Sequence, residues 1–337
     1  MTADILFGNE NLKEILYGFS SKNAFPNAFI ISGPEGSGKN TAARLFAMAI
    51  ACKNTGRPCG NCPSCRKISE KISPDVIDIG LENDRKTLGI ETVRAIRDTA
   101  YVLPNDLDTK VYIINDADKL TDQAQNALLK IFEEGPDSVY FILLAANPLR
   151  LLPTVRSRAP ELKTEVFTES RLEALLTENV PKASELKKRD PETFKRVINA
   201  SGGSYGKALS LIEGKSKKSI QIYSRVEALL LALSQNNKAE ILVSLLSEAS
   251  ERENYSLFLS LLQNALRDLA SIKKEANSNL CFFANEERAE ELSKSFSLNT
   301  LISLYNVSDA LSSEASNTNI NLRHAAIVAF GRLSERL

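Results

Sequence analysis

The chain has 337 residues, of which 43% are hydrophobic, and its 42 basic residues balance its 42 acidic residues. This length predicts two or three domains with hydrophobic cores, and the neutral net charge argues against a strongly basic nucleic-acid-binding protein, although not against a local basic patch. The first residues show no signal peptide, and no apolar run approaches the roughly 20 residues of a membrane span. We therefore expect a cytoplasmic protein without membrane contact. A single histidine, His324, excludes catalysis by a histidine pair.

A glycine-rich run follows the first apolar segment (28–31) and precedes a helical pattern: Gly33-Pro34-Glu35-Gly36-Ser37-Gly38-Lys39-Asn40-Thr41. Strand, glycine-rich turn and helix form the context of a P-loop, in which backbone N–H groups surround phosphates and the lysine reaches the outer phosphates. A Ser or Thr that binds magnesium usually follows the lysine. Here Asn40 follows it, and Thr41 comes one position late, which turns its hydroxyl about 100° away. The expected nucleotide-binding residues, with weakened magnesium binding, are Gly33, Gly36, Gly38, Lys39, Asn40 and Thr41.

Four of the five cysteines lie within fourteen residues in the pattern C-x6-C-x2-C-x2-C: Cys52, Cys59, Cys62 and Cys65. Short C-x2-C steps let thiolates converge on one tetrahedral metal ion. Disulfides are an alternative that an intracellular chain disfavours, and a redox pair leaves the other cysteines unexplained. We predict a structural zinc module at 52–65, without a catalytic role because four cysteines leave no open position on the metal.

Strands and helices alternate through the first half of the chain. The predicted strands are 28–31, 76–79, 110–114 and 139–144, and the predicted helices are 11–19, the P-loop helix to about residue 52, 90–100 and 121–134. This alternation predicts a doubly wound α/β domain with a parallel sheet and nucleotide at the carboxyl ends of the strands. The third strand ends in Asn115-Asp116, where a P-loop ATPase carries the acids that hold magnesium and activate water. The sequence therefore predicts a second degraded catalytic feature.

The loop at 146–160 contains Arg150, Arg156 and Arg158, which composition alone assigns to solvated charges or phosphate contacts. From about residue 168 the pattern becomes helical only, with helices predicted at 170–177, 191–199 and 207–212. We predict a linker at 214–218 and about six amphipathic helices between 219 and 337. Such a helical bundle is most simply structural or oligomerising.

Several of these pieces together resemble the AAA+ clamp-loader subunits of bacterial DNA polymerase III. They are the P-loop, the four-cysteine insertion, the strand at 111–114, the run Asn126-Ala127-Leu128-Leu129-Lys130-Ile131-Phe132-Glu133-Glu134, and Ser157-Arg158. By motif the resemblance covers residues 5–213. It implies an AAA+ domain at 1–167, a small helical lid at 168–213, and a C-terminal helical collar at 219–337 that joins subunits into a hetero-pentameric ring.

Within this family the chain is more similar to the delta-prime type than to the gamma or tau ATPases. Asn40 replaces their threonine, Asn115-Asp116 replaces their Asp-Glu pair, and Gly206 stands where their lid carries a sensor arginine. Ser157-Arg158 is similar to the family's Ser-Arg-Cys motif, with Ala159 in place of the cysteine. The resemblance implies a subunit with weak or absent ATPase activity that supplies Arg158 as an arginine finger, in trans, to a neighbouring ATPase subunit.

The resemblance also implies partners and ligands in DNA replication. The implied partners are the clamp-loader ATPase and delta subunits, the sliding clamp and, through the assembled complex, primed DNA; the implied ligands are structural zinc and ATP or ADP. Two alternatives stay open: an active gamma/tau-like ATPase in which Thr41 or water replaces the missing ligand, and a stand-alone zinc-bearing P-loop scaffold that forms no ring. A small-molecule kinase is disfavoured, because no acceptor-site residues accompany the P-loop.

Overall fold

The chain divides into two compact units. One unit comprises residues 1–167 with 204–206, and the other comprises 168–203 with 207–337. Within them, the computed structural model describes these ranges: 6–22, 24–81, 87–213, 217–249, 252–274, 280–283, 286–316 and 321–334. Apart from 204–206, the segments predicted as lid and collar both lie in the second unit; their division into separate domains stays a prediction.

The first unit contains a five-stranded sheet in the order β2-β3-β4-β1-β5. Its strands are β1 (Ala28–Ser32), β2 (Val76–Ile79), β3 (Lys110–Ile114), β4 (Val139–Ala145) and β5 (Glu161–Lys163). All neighbouring strands are parallel. Every residue of β1 and β3 is buried, as expected for parallel strands whose two faces are both covered by helices. The predicted parallel α/β fold is confirmed.

Six α-helices accompany the sheet in the described part of this unit: α1 (Glu10–Lys22), α2 (Lys39–Ala51), α3 (Pro63–Ser69), α4 (Ile90–Ala100), α5 (Asp122–Glu134) and α6 (Pro153–Arg156). Successive residues of a strand point to opposite faces, so the sheet builds two cores. Phe29 and Ile31 of β1 pack with α1 and α2, whereas Ala28 and Ile30 pack with α4 and α5. Thr121 caps α5 by accepting a hydrogen bond from the Ala124 N–H, as predicted.

A buried carboxylate fixes the loop before β3. Asp75 accepts hydrogen bonds from the backbone N–H groups of Asn105, Asp106 and Leu107 at 2.7, 2.7 and 2.8 Å. Burial by itself raises the pKa of Asp75, but these three N–H groups and Lys110 outweigh burial and hold the pKa below its usual value. A charge buried with this many partners is stabilised in place, so the loop has a defined conformation.

Every secondary-structure element in the described residues of the second unit is a helix. Its helices are α7 (Glu169–Asn179), α8 (Pro181–Arg189), α9 (Pro191–Ser201), α10 (Tyr205–Ile212, whose first two residues belong to the first unit), α11 (Lys217–Ser234), α12 (Lys238–Glu248), α13 (Arg252–Lys273), α14 (Glu286–Lys294), α15 (Leu298–Ser316) and α16 (Leu322–Ser334). The six helices after residue 216 agree with the predicted bundle, and their apolar faces form one core.

The predicted linker at 214–218 is wrong for its last two residues. Lys217 and Lys218 belong to the first turn of α11, because lysine is a good helix former and the apolar periodicity that begins at Ile222 lies on the same helix. Residues 214–216 lie outside the described residues. None of the described helices combines the length and the apolar character that a membrane span requires.

Candidate functional site

The P-loop connects the end of β1 to the start of α2 and depends on three glycines with positive φ. The values are 152° at Gly33, 72° at Gly36 and 94° at Gly38. At Gly33 a Cβ atom would also lie 1.8 Å from Oγ1 of Thr164, so both conformation and space require glycine there. Because the first N–H groups of α2 have no partner within the helix, the loop leads into an anion-binding helix terminus.

Lys39, the P-loop lysine, is held inside the loop by the loop's own backbone. Its Nζ donates to the carbonyl oxygens of Gly33 at 2.6 Å and Pro34 at 2.8 Å. Burial lowers the pKa of Lys39 and outweighs the opposing effect of nearby acids, of which Asp118 is the strongest. Of the two residues that follow, Asn40 is exposed and Thr41 is half-buried.

Residues 204–206 bind the outer side of the P-loop. Ser204 Oγ donates to the carbonyl oxygen of Glu35 at 2.8 Å, and the N–H of Gly206 donates to the carbonyl oxygen of Gly36 at 2.9 Å. A Cβ atom at position 206 would lie 2.8 Å from that Gly36 oxygen. The position that resembles the family's sensor-arginine position is therefore packed directly against the P-loop backbone.

The degenerate acidic motif lies at the carboxyl end of β3. Asn115 uses its backbone N–H and its side-chain Nδ2 to bind the carbonyl oxygen of Ile79, at 2.6 and 3.2 Å. Asp116 has a left-handed backbone with φ of 52° and forms a half-exposed ion pair with Lys119 at 3.1 Å. The amide of Asn115 carries no charge for a metal ion, and Asp116 is already paired within its own turn.

Two polar side chains, Asp118 and Gln125, tie the neighbouring loops together, and of these the sequence interpretation missed Gln125. The backbone N–H of Asn147, after β4, donates to Asp118 at 3.2 Å. Gln125 is buried in α5, where its Nε2 donates to the Leu120 carbonyl at 3.0 Å and its Oε1 accepts from the Leu152 N–H at 2.7 Å. The sequence did carry a signal for this residue: Gln125 stands three positions before Leu128, on the face of the helix that the apolar spacing predicts to be buried. A polar side chain on a buried face must find hydrogen-bond partners.

Arg158 lies just after α6 with its side chain 43% exposed. Its Nε donates to the carboxylate of Glu133, and its Nη1 donates to the Thr154 carbonyl at 3.2 Å and the Ser157 hydroxyl at 3.5 Å. The other predicted loop arginines, Arg150 and Arg156, are also exposed. Arg158 therefore lies at the surface of the unit with its guanidinium anchored on one side.

The four cysteines of the predicted zinc module meet at one point, between the end of α2 and the start of α3. Their sulfur atoms all lie within 4.8 Å of one another, with 4.0 Å between Cys59 and Cys65 and 3.9 Å between Cys52 and Cys62. A tetrahedral zinc ion with Zn–S bonds near 2.3 Å would separate its sulfur ligands by about 3.8 Å. The sulfur geometry therefore fits a four-cysteine zinc site.

Backbone groups and ion pairs support this cluster. The N–H groups of Cys62 and Cys65 approach the thiols of Cys59 and Cys62 at 3.4 Å, and hydrogen bonds from the backbone at Asn61 and Cys62 lower the pKa of Cys59 to about 6. Two lysines beside the cluster pair with the Asp75-anchored loop: Lys53 with Asp108 at 2.5 Å and Lys67 with Asp106 at 2.9 Å. The module is thus joined to the sheet domain by charge pairs as well as by the chain.

Comparisons with known proteins agree on one family. The family described as DNA polymerase III, delta subunit, matches residues 8–167. The DNA polymerase III subunit tau of Bacillus subtilis is 29% identical over 262 residues, which are 77% of this chain and 45% of that protein. The subunit gamma of Buchnera aphidicola subsp. Schizaphis graminum is 31% identical over 247 residues, which are 72% of this chain and 66% of that protein. The chain belongs to the gamma/tau-like clamp-loader subunits of bacterial DNA polymerase III.

This clamp-loader chain spans less than half the length of the tau subunit that it matches. Among solved structures, a gamma subunit-related protein of Thermotoga maritima aligns over 97% of this chain and 98% of its own, with 17% identity and a TM-score of 0.44. The sequence relatives identify the family. They confirm the predicted family, whereas the delta-prime role and the individual site residues stay proposals.

Proposed function

We propose that this clamp-loader subunit acts as a delta-prime-type member of its assembly. It hydrolyses ATP weakly or not at all, and it supplies Arg158 in trans to the nucleotide site of a neighbouring ATPase subunit. The observation that carries the proposal is a contrast within one unit. Arg158 is exposed and anchored, whereas the amides of Asn40 and Asn115 stand at the two positions where a magnesium ion needs a hydroxyl and a carboxylate.

The chain's own nucleotide site offers weak ligands for a magnesium ion. Magnesium in such a site is held by a hydroxyl after the lysine, a strand-end carboxylate and phosphate oxygens. Asn40 and Asn115 offer neutral amides at these two positions, and the Asn115 amide already binds Ile79. Asp116 is paired with Lys119. The P-loop glycines and Lys39 remain able to hold ATP or ADP as a ligand, without an efficient catalytic metal site.

Arg158 has the chemistry and the surface position that a trans arginine needs. A guanidinium is always charged, presents five N–H donors, and matches the geometry of phosphate oxygens. An arginine supplied in trans stabilises the charge on a transferring phosphoryl group, an effect that reaches roughly 10³–10⁵-fold in GTPases. A subunit whose own site is degraded can therefore still increase turnover in its neighbour.

The proposed assembly follows from the family. The chain would join the clamp-loader ATPase and delta subunits in a hetero-pentameric ring, through which it acts on the sliding clamp and on primed DNA in replication. Zinc, held by Cys52, Cys59, Cys62 and Cys65, would be structural because the four thiolates complete a tetrahedral site.

The test is ATP turnover by the reconstituted clamp loader with clamp and primed DNA. We expect Arg158→Ala to lower turnover at least tenfold, by analogy with trans arginines whose effect is roughly 10³-fold or more. Arg156→Ala is the matched control, since Arg156 is an exposed arginine two positions away, and we expect it to keep the wild-type rate. Robust turnover by this chain alone would instead identify an active gamma/tau-like ATPase.

A further inference from the structure

We infer that Glu133 is a positioning residue that orients the side chain of Arg158. The inference rests on the proposed function, because it specifies how the trans arginine is held ready for the neighbouring site. Glu133 belongs to the last turn of α5, and Arg158 follows α6, 25 positions later in the chain. The fold brings the two side chains into direct contact at the surface of the first unit.

The contact uses one side of the guanidinium and leaves the other side available. Nε of Arg158 donates to Glu133, and Nη1 donates to the Thr154 carbonyl and the Ser157 hydroxyl. Within the described part of the chain, Nη2 has no hydrogen-bond partner, so its two N–H groups are the donors that an approaching phosphate can use. Glu133 therefore anchors Arg158 without occupying its outward edge.

An anchor matters because arginine is long and flexible. A half-exposed arginine without partners samples many rotamers, and a displacement of a catalytic group by about 1 Å can cost on the order of 100-fold in rate. Both side chains of the pair are close to half exposed, at 43% and 50%. Exposed ion pairs contribute little to folding stability. A large effect of a Glu133 substitution on ATP turnover would therefore reflect a change in the orientation of Arg158 and not a loss of folding.

The chain offers matched variants for the test. Glu133→Ala removes the acceptor, whereas Glu133→Gln keeps an oxygen that Nε can bind and removes only the charge. Glu134→Ala is the control, because Glu134 is the adjacent exposed glutamate and its removal changes the net charge equally without touching the Arg158 contact. Each variant is assembled into the full clamp loader, and ATP turnover is measured across ATP concentrations, alongside Arg158→Ala and the double variant Glu133→Ala/Arg158→Ala.

We expect Glu133→Ala to lower kcat about tenfold, within the range for a misplaced catalytic group, and to leave KM for ATP unchanged, as for an interaction made only in the transition state. Glu133→Gln should recover most of the rate, Glu134→Ala should match wild type, and the double variant should be no slower than Arg158→Ala. Thermal unfolding of all single variants should stay close to wild type.

The outcomes separate this inference from the proposed function. If Arg158→Ala leaves ATP turnover unchanged, the trans role of Arg158 is wrong and the inference about Glu133 is wrong with it. If Arg158→Ala slows turnover but Glu133→Ala does not, the trans role stands and the positioning role of Glu133 is overturned. If Glu133→Ala slows turnover further in the Arg158→Ala background, Glu133 acts through another residue, which also overturns the inference.

Discussion

Gly206 lies against the P-loop at a position where gamma-type subunits are expected to carry an arginine. A Cβ atom there would lie 2.8 Å from the Gly36 carbonyl oxygen, which is backbone and cannot rotate away. We expect Gly206→Ala to destabilise the chain by about 1–3 kcal/mol, as for overpacking of a close contact. Chemical denaturation of the full chain measures the effect.

The control for this prediction is Gly18→Ala. Gly18 lies in α1, and a Cβ atom there would meet nothing within 4 Å. Replacing a helical glycine by alanine in open space stabilises by roughly 0.5–1 kcal/mol, so the two variants should shift stability in opposite directions. Equal stabilities for Gly206→Ala and wild type would show that the P-loop relaxes at no cost.

At this residue scale the sequence shows some features and hides others. Asn40 and Asn115 are readable as departures because the P-loop and strand-end motifs have fixed spacing. Glu133 and Ser204 are not readable, because their partners Arg158 and Glu35 lie far away in the chain and only the fold brings them together. The spacing of residues within a motif predicts the chemistry of that motif. It carries no information on which residues from distant parts of the chain will contact the motif in the fold.

At the scale of elements, the four-cysteine cluster, which we propose holds zinc, joins α2, α3 and the loop before β3. Because structural zinc contributes directly to folding, we expect Cys62→Ser to lose the metal and to lower the melting temperature of the first unit. The measurements are zinc content and thermal unfolding. Cys281→Ser is the control, since Cys281 lies outside the four-cysteine cluster, and it should retain about one zinc per chain, the stoichiometry of a tetrahedral four-cysteine site.

A chelator supplies the complementary measurement on the wild-type chain. Removing zinc should loosen α3, whose N-cap is Cys62, and should therefore destabilise the chain in the same direction as Cys62→Ser. Wild-type protein purified without metal and with unchanged stability would contradict a structural zinc role.

Elements with strong periodicity were predictable, and short or polar elements were not. The strand β3 and the helix α4 have the predicted bounds, because their apolar residues repeat with a clear period. The strand β5 has only three residues, two of them charged and exposed, and α8 contains five charged residues in nine. Both elements form because of neighbours in the tertiary structure: β5 pairs with β1, and α8 packs on α9.

At the scale of the whole molecule, each unit has its own hydrophobic interior. The two cores of the sheet draw on residues from 6 to 162, whereas the helical core draws on residues from 222 to 333. Compact units with separate cores are able to fold and unfold as separate cooperative units. The sequence predicted the change from alternating to purely helical structure at about residue 168, but not that residues 204–206 rejoin the first unit.

Separate cores predict separate unfolding transitions. Leu262 is fully buried in the helical core and Leu128 is fully buried in the sheet domain, and truncating either leucine to alanine should cost about 2–5 kcal/mol. In calorimetry of the full chain we expect Leu262→Ala to move one transition and Leu128→Ala to move the other. Chelation identifies the sheet-domain transition, because the four cysteines lie in that unit. A single transition that both variants lower equally would show instead that the two units unfold as one.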